Sequence, residues 1–117
     1  VLSDGLRLSQ GMSRKNAVSG LWWGGGKGVI PVTKELLEET FVGNIKDQSK
    51  RDQLFAAYGK FVAKLNGVYY TAADIGTYGA DMKAILSNNR FVTCIPPELG
   101  GSGDPSPQTA EGVFRAI

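Results

Sequence analysis

Leu65-Asn66-Gly67-Val68-Tyr69-Tyr70-Thr71 decides the fold class, because the side-chain period changes across it. On its N-terminal side Leu54, Tyr58, Phe61, Val62 and Leu65 recur at helical spacing, so residues 49–65 read as a helix. Asn66-Gly67 then offers two residues tolerant of left-handed backbone, which stops it. Val68, Tyr69, Tyr70 and Thr71 are β-formers and read as a buried strand that delivers the chain to Ala72-Ala73-Asp74-Ile75-Gly76-Thr77.

Working outward, a further helix begins at Thr77 or Tyr78 and runs to about Ser87, and residues 91–95 read as another strand. Residues 96–108 form a loop rich in Gly, Pro and Ser, after which Thr109 serves as the N-cap of a final helix. Upstream, Leu2, Leu6, Leu8 and Met12 give a helical stripe that ends at the glycine run Gly24-Gly25-Gly26-Lys27-Gly28. Residues 29–32 read as a short strand broken by Pro31, and Thr33 caps a short acidic helix from Lys34 to about Phe41. Strands alternating with helices predict an α/β layer fold with a largely parallel sheet.

Composition narrows the function. With 13 basic and 11 acidic residues the net charge is +2, and no window gathers the basic patch that a nucleic acid would need. No apolar run approaches the roughly 20 residues that cross a membrane. One cysteine, Cys94, excludes an internal disulfide and suits a reducing, cytoplasmic setting; placed in the strand, it reads as a small buried apolar residue. Histidine is absent, which removes the commonest metal ligand and general base, so no metal site is expected and acid–base chemistry falls to Lys, Asp, Glu or Tyr. The first residues lack an initiator Met and a signal pattern, and the last helix stops early, so the sequence reads as a piece of a longer protein.

Lys27 stands among four glycines, which give backbone freedom and room for close approach. A phosphate-binding P-loop fails here, because Gly28 and Leu21 occupy the places of the hydroxyl residue and the first glycine. The dinucleotide fingerprint fails too, with Val29 where its third glycine belongs. Alone, Lys27 reads as a solvated lysine in a turn, Lys15 as a helix-surface cation and Asp74 as a turn or cap carboxylate. Trp22-Trp23 reads as a cover for a core or an oligomer face.

Three motifs in order change that reading. Gly11-Met12-Ser13-Arg14-Lys15-Asn16-Ala17 with Gly24-Gly25-Gly26-Lys27-Gly28 resembles the substrate-site signature of the glutamate/leucine/phenylalanine/valine dehydrogenase family. Leu65-Asn66-Gly67 with Tyr70-Thr71-Ala72-Ala73-Asp74-Ile75-Gly76-Thr77 resembles the next signature, and Gly100-Gly101-Ser102-Gly103-Asp104-Pro105-Ser106-Pro107-Gln108-Thr109-Ala110 the one after it. The Met-Ser-Arg-Lys-Asn-Ala and Asp-Pro-Ser-Pro forms lean toward the leucine/phenylalanine/valine branch. Two departures stand out: Ala73 replaces an acidic neighbour of Asp74, and the stretch 35–50 is longer than its counterpart.

The resemblance implies the family's N-terminal domain, a three-layer α/β domain with a largely parallel, mixed sheet that also carries subunit contacts. It makes residues 1–108 a partial substrate-binding and dimerisation domain, and 109–117 the start of a helix leading to a Rossmann domain beyond this sequence. The implied reaction is oxidative deamination of an L-amino acid to a 2-oxo acid and ammonia, with NAD or NADP as hydride acceptor. In it Lys15 holds the substrate carboxylate, Met12 lines the same pocket, Lys27 is the catalytic lysine that assists water, and Asp74 exchanges protons with the amino group. Thr109 comes near the nicotinamide ring. A lysine assists water only when part of it is neutral, which burial and a neighbouring cation promote. A homo-oligomer is implied as the assembly, and small molecules as the ligands. A non-catalytic assembly module of the same fold is the rival reading, and a small phosphate-binding protein a distant third.

Overall fold

The computed structural model describes residues 1–41 and 47–117. Part of the stretch 35–50 that the sequence sets apart, residues 42–46, therefore lies outside the described residues. The chain divides into two compact units, Val1–Glu38 and Glu39–Ile117.

In the first unit α1 spans Leu2–Val18. Its flank carries Gly5, Ser9, Ser13 and Asn16, small or short residues three to four apart, and the hydroxyls of Ser9 and Ser13 fold back onto the carbonyls of Gly5 and Ser9. That leaves a low groove along the helix. The glycine segment lies in it: Asn16 Nδ2 donates to the Gly24 carbonyl at 2.7 Å, and Val29 Cγ2 faces the Cα of Gly5. Between them Gly25 sits so close that an added Cβ would fall on the Ser9 carbonyl and the Ser13 amide. Only glycine fits there. Residues 29–32 form no strand, since Pro31 lacks a donor and no neighbour pairs with them among the described residues. At the boundary of the units α2, Lys34–Thr40, starts where Thr33 Oγ1 accepts from Leu36 N at 3.2 Å, the cap its sequence predicts.

The second unit is built on α3, Gln48–Ala63, packed against α4, Gly79–Leu86. Asp47 caps α3 by accepting from Lys50 N at 2.8 Å. Its buried stripe is Arg51, Phe55, Gly59 and Val62, rotated from the apolar stripe through Leu54, Tyr58 and Phe61; Phe61 is in fact 60% exposed. The reason is Gly59, whose bare backbone lets α4 approach: a Cβ there would stand 3.0 Å from the Ile85 carbonyl, and Asn89 Nδ2 bonds the Gly59 carbonyl at 2.8 Å. Phe55, Val62, Met82, Ile85 and Val92 form the buried apolar core. As the sequence predicts, Asn66 (φ 49°) and Gly67 (φ 84°) turn left-handed after α3.

The expected three-layer α/β domain with a largely parallel, mixed sheet is not what forms among the described residues. Among the described residues helix takes up 55% and strand 2%. The two β-forming segments meet only at a parallel bridge between Thr71 and Val92, made by Thr71 N to Phe91 O (3.1 Å) and Thr93 N to Thr71 O (2.8 Å). β-Propensity reports a fit to neighbouring strands, and two short segments with no third beside them among the described residues cannot extend a ladder. Val68 is 92% exposed, and Cys94 turns left-handed at φ 56° and ends the second segment. Cys94 is accordingly half-buried in a bend and not inside a strand.

After a 3-10 turn at Pro97–Leu99 comes α5, Ser106–Ala116. It starts three residues before the predicted cap. Pro107 suits a first helical turn, and Thr109 lies inside the helix with its Oγ1 donating to the Pro105 carbonyl at 3.0 Å.

Candidate functional site

Both predicted cations, Lys15 and Lys27, belong to the first unit. Lys15 is exposed near the end of α1, with Met12 half-buried one turn before it. Lys27 is half-buried on the glycine segment, beside an open cleft of about 410 Å³ whose walls are Leu2, Leu6 and Val29 with Ser9 among them. What ties the two lysines to one scaffold is the residue after Lys15. Asn16 is 9% exposed and spends its amide on the Gly24 carbonyl, so the helix end that carries Lys15 also fixes the loop that carries Lys27. Trp22 and Trp23 are exposed within this unit, at 101% and 58%.

Asp74 and Thr109 belong to the second unit, and both are exposed. Asp74 opens a tight turn. Its amide donates to Thr77 Oγ1 at 2.7 Å, and its carbonyl accepts from that hydroxyl at 2.8 Å and from Thr77 N at 3.0 Å. With its backbone closed in this way, the Asp74 side chain stands on a short, fixed segment.

Below this turn lies a side chain that periodicity gave no reason to choose. Arg51 is 1% exposed and uses its whole guanidinium fork: Nε and Nη2 meet the Asp81 carboxylate at 2.7 and 2.6 Å, Nη1 the Thr40 carbonyl at 2.5 Å, and Nη2 the Gly76 carbonyl at 2.8 Å. The rings of Phe41, Phe55 and Tyr78 surround it at 4.6, 5.2 and 5.3 Å from the guanidinium carbon. Asp81 also accepts from Tyr78 N at 2.7 Å, as an acidic residue in the first turn of α4 should. The available sequence signal was an arginine on the stripe that Phe55 and Val62 continue, and an aspartate three residues after Tyr78.

The residues present do not fit the phosphates of a dinucleotide. Gly25 is pressed onto α1 and cannot cradle an anion. At the start of α5 the Asp104 carboxylate already accepts from Ser106 N (2.9 Å) and Ser106 Oγ (2.6 Å), bonds that hold its carboxyl below the usual carboxylate range. A negative charge occupies the place a phosphate would take.

Against this geometry the comparisons fall into one pattern. Over 116 residues, 99% of this chain, it is 46% identical to a leucine dehydrogenase of Geobacillus stearothermophilus, and it covers 28% of that protein. It is 44% identical over the same span to a valine dehydrogenase of Streptomyces albus and 46% to one of Streptomyces virginiae, covering 29% of each. The chain thus spans less than a third of the length of these relatives. Residues 2–90 match the family described as Glu/Leu/Phe/Val dehydrogenase, dimerisation domain. The order of the three motifs along the sequence and the match across nearly the whole chain agree, and the chain belongs to the Glu/Leu/Phe/Val dehydrogenase family through its dimerisation domain.

Proposed function

We propose that this chain is the amino-acid-binding part of an L-amino-acid dehydrogenase, which converts an L-amino acid to a 2-oxo acid and ammonia. The observation that carries the reading is the bond from Asn16 to Gly24, which puts Lys15 and Lys27 on one scaffold in a chain whose relatives are named leucine and valine dehydrogenases. Lys15, exposed on a rigid helix, pairs with the substrate carboxylate, and Met12 lines the same pocket. Lys27 holds and polarises the water that adds to the α-carbon. Asp74 takes a proton from the amino group and returns one to the departing ammonia.

The hydride acceptor, NAD or NADP, is bound by residues outside this chain, with Thr109 at the edge of its site. Residues 1–108 serve the amino acid and subunit contacts, and 109–117 begin the passage to the cofactor half. A homo-oligomer follows from the family's description as a dimerisation domain. A cytoplasmic, reducing setting suits the unpaired thiol of Cys94. That same description is what favours the rival reading, an assembly module without catalysis. A crystal structure of the full-length protein with a bound 2-oxo acid decides between them. We expect Lys15, Lys27 and Asp74 all to reach the ligand within hydrogen-bond distance; Lys27 and Asp74 on opposite faces would end the catalytic reading.

A further inference from the structure

We infer that Arg51, clamped by Asp81, is a positioning residue for the Asp74 carboxylate. The inference rests on the role proposed for Asp74. Asp74 itself is exposed, but its turn is gripped from below at two points within four residues: Arg51 Nη2 donates to the Gly76 carbonyl at 2.8 Å, and Asp81 accepts from Tyr78 N at 2.7 Å. Both grips belong to one buried pair, because the carboxylate that holds Tyr78 also holds Arg51 through two bonds. Thr77 then passes the constraint to Asp74, with its hydroxyl joined to the Asp74 amide and carbonyl. A buried ion pair adds little net stability compared with apolar packing, so its distinctive product is a fixed geometry. Lysine cannot replace this arginine. A single ammonium carries the charge without the planar fork that reaches Asp81, Thr40 and Gly76 together.

The test uses the full-length protein with L-leucine and NAD as probe substrates, and circular dichroism to confirm folding of each variant. R51K should lower kcat about 10-fold to 100-fold with KM within about twofold, the pattern of a misplaced reacting group. In a D74N background the same change should cost nothing further, since a residue that acts through Asp74 has nothing left to position. If R51K slows D74N by the factor it slows the wild type, the inference is overturned and the role of Asp74 stands. If D74N keeps the wild-type turnover number, the role of Asp74 falls and the inference with it. Should R51K fail to fold, D81N takes its place with the same expectations, because Asn keeps the size and loses the second acceptor for Arg51.

Discussion

Arg51 and Asp81 lie thirty positions apart in sequence, yet their charged groups meet through two bonds of 2.7 and 2.6 Å where each side chain is 1% exposed. The pair joins the first turn of α3 to the first turn of α4. Removing one partner leaves the other charged and buried, which typically costs about 3–5 kcal/mol. Arg51→Met should therefore lower stability by that order in urea unfolding, while Arg51→Met combined with Asp81→Leu should recover most of the loss. A double variant as unstable as the single one would mean that the carbonyl bonds to Thr40 and Gly76 matter more than the charge pair.

The two lysines of the first unit have different assigned tasks and should fail differently. In the full-length protein Lys27→Ala should lower turnover on the order of 100-fold to 10,000-fold, the usual loss for a positioned acid–base group. Lys15→Ala should mainly raise KM, because a carboxylate is held alike in ground and transition states. Steady-state kinetics with L-leucine checks both. A near-normal turnover number for Lys27→Ala, with only KM raised, would remove it from the water.

Titration calorimetry of these 117 residues with NAD should give no binding heat at micromolar concentrations. Gly25 offers no cradle and Asp104 repels an anion from the start of α5. Micromolar affinity would place the cofactor site inside this chain.

Tyr58 gives a pH prediction. Burial pushes its phenol from 10.0 up to about 12, and the bond to Thr71 Oγ1 only partly opposes the rise. A group whose folded-state pKa is raised contributes stability below its unfolded value and loses it as pH climbs toward the folded one. Stability should thus fall between about pH 10 and pH 12, by less than the full linkage because part of the ring meets solvent. Ultraviolet titration should show the Tyr58 phenol ionising late. Tyr58→Phe should abolish that step and flatten the fall; a step that survives the change belongs to another tyrosine.

What could be read from the sequence was what depends on neighbours along the chain. The Thr33 cap and the left-handed Asn66-Gly67 stop need only local backbone chemistry, and both are found. The three motifs were legible for the same reason, as short ordered strings. Strands were not, because pairing is decided by segments elsewhere: Val68, Tyr69 and Tyr70 have the right side chains, and among the described residues no ladder extends beyond the Thr71–Val92 bridge. The buried face of α3 does not follow from apolarity alone. There the helix turns Gly59 and a fully paired Arg51 inward and leaves Phe61 outside. The groove on α1 is marked in the sequence by the small or short residues at 5, 9, 13 and 16.

The seating of Gly25 on α1 sets the terms on which the segment carrying Lys27 can diverge or be redesigned. At Gly24 an added Cβ would meet nothing within 4 Å, whereas at Gly25 even a Cβ would pry the segment off the helix. A permissive site and a forbidden one thus stand side by side, three and two residues before the lysine. Chemical variety beside Lys27 can be introduced through position 24, while position 25 acts as the pivot about which that variety is displayed.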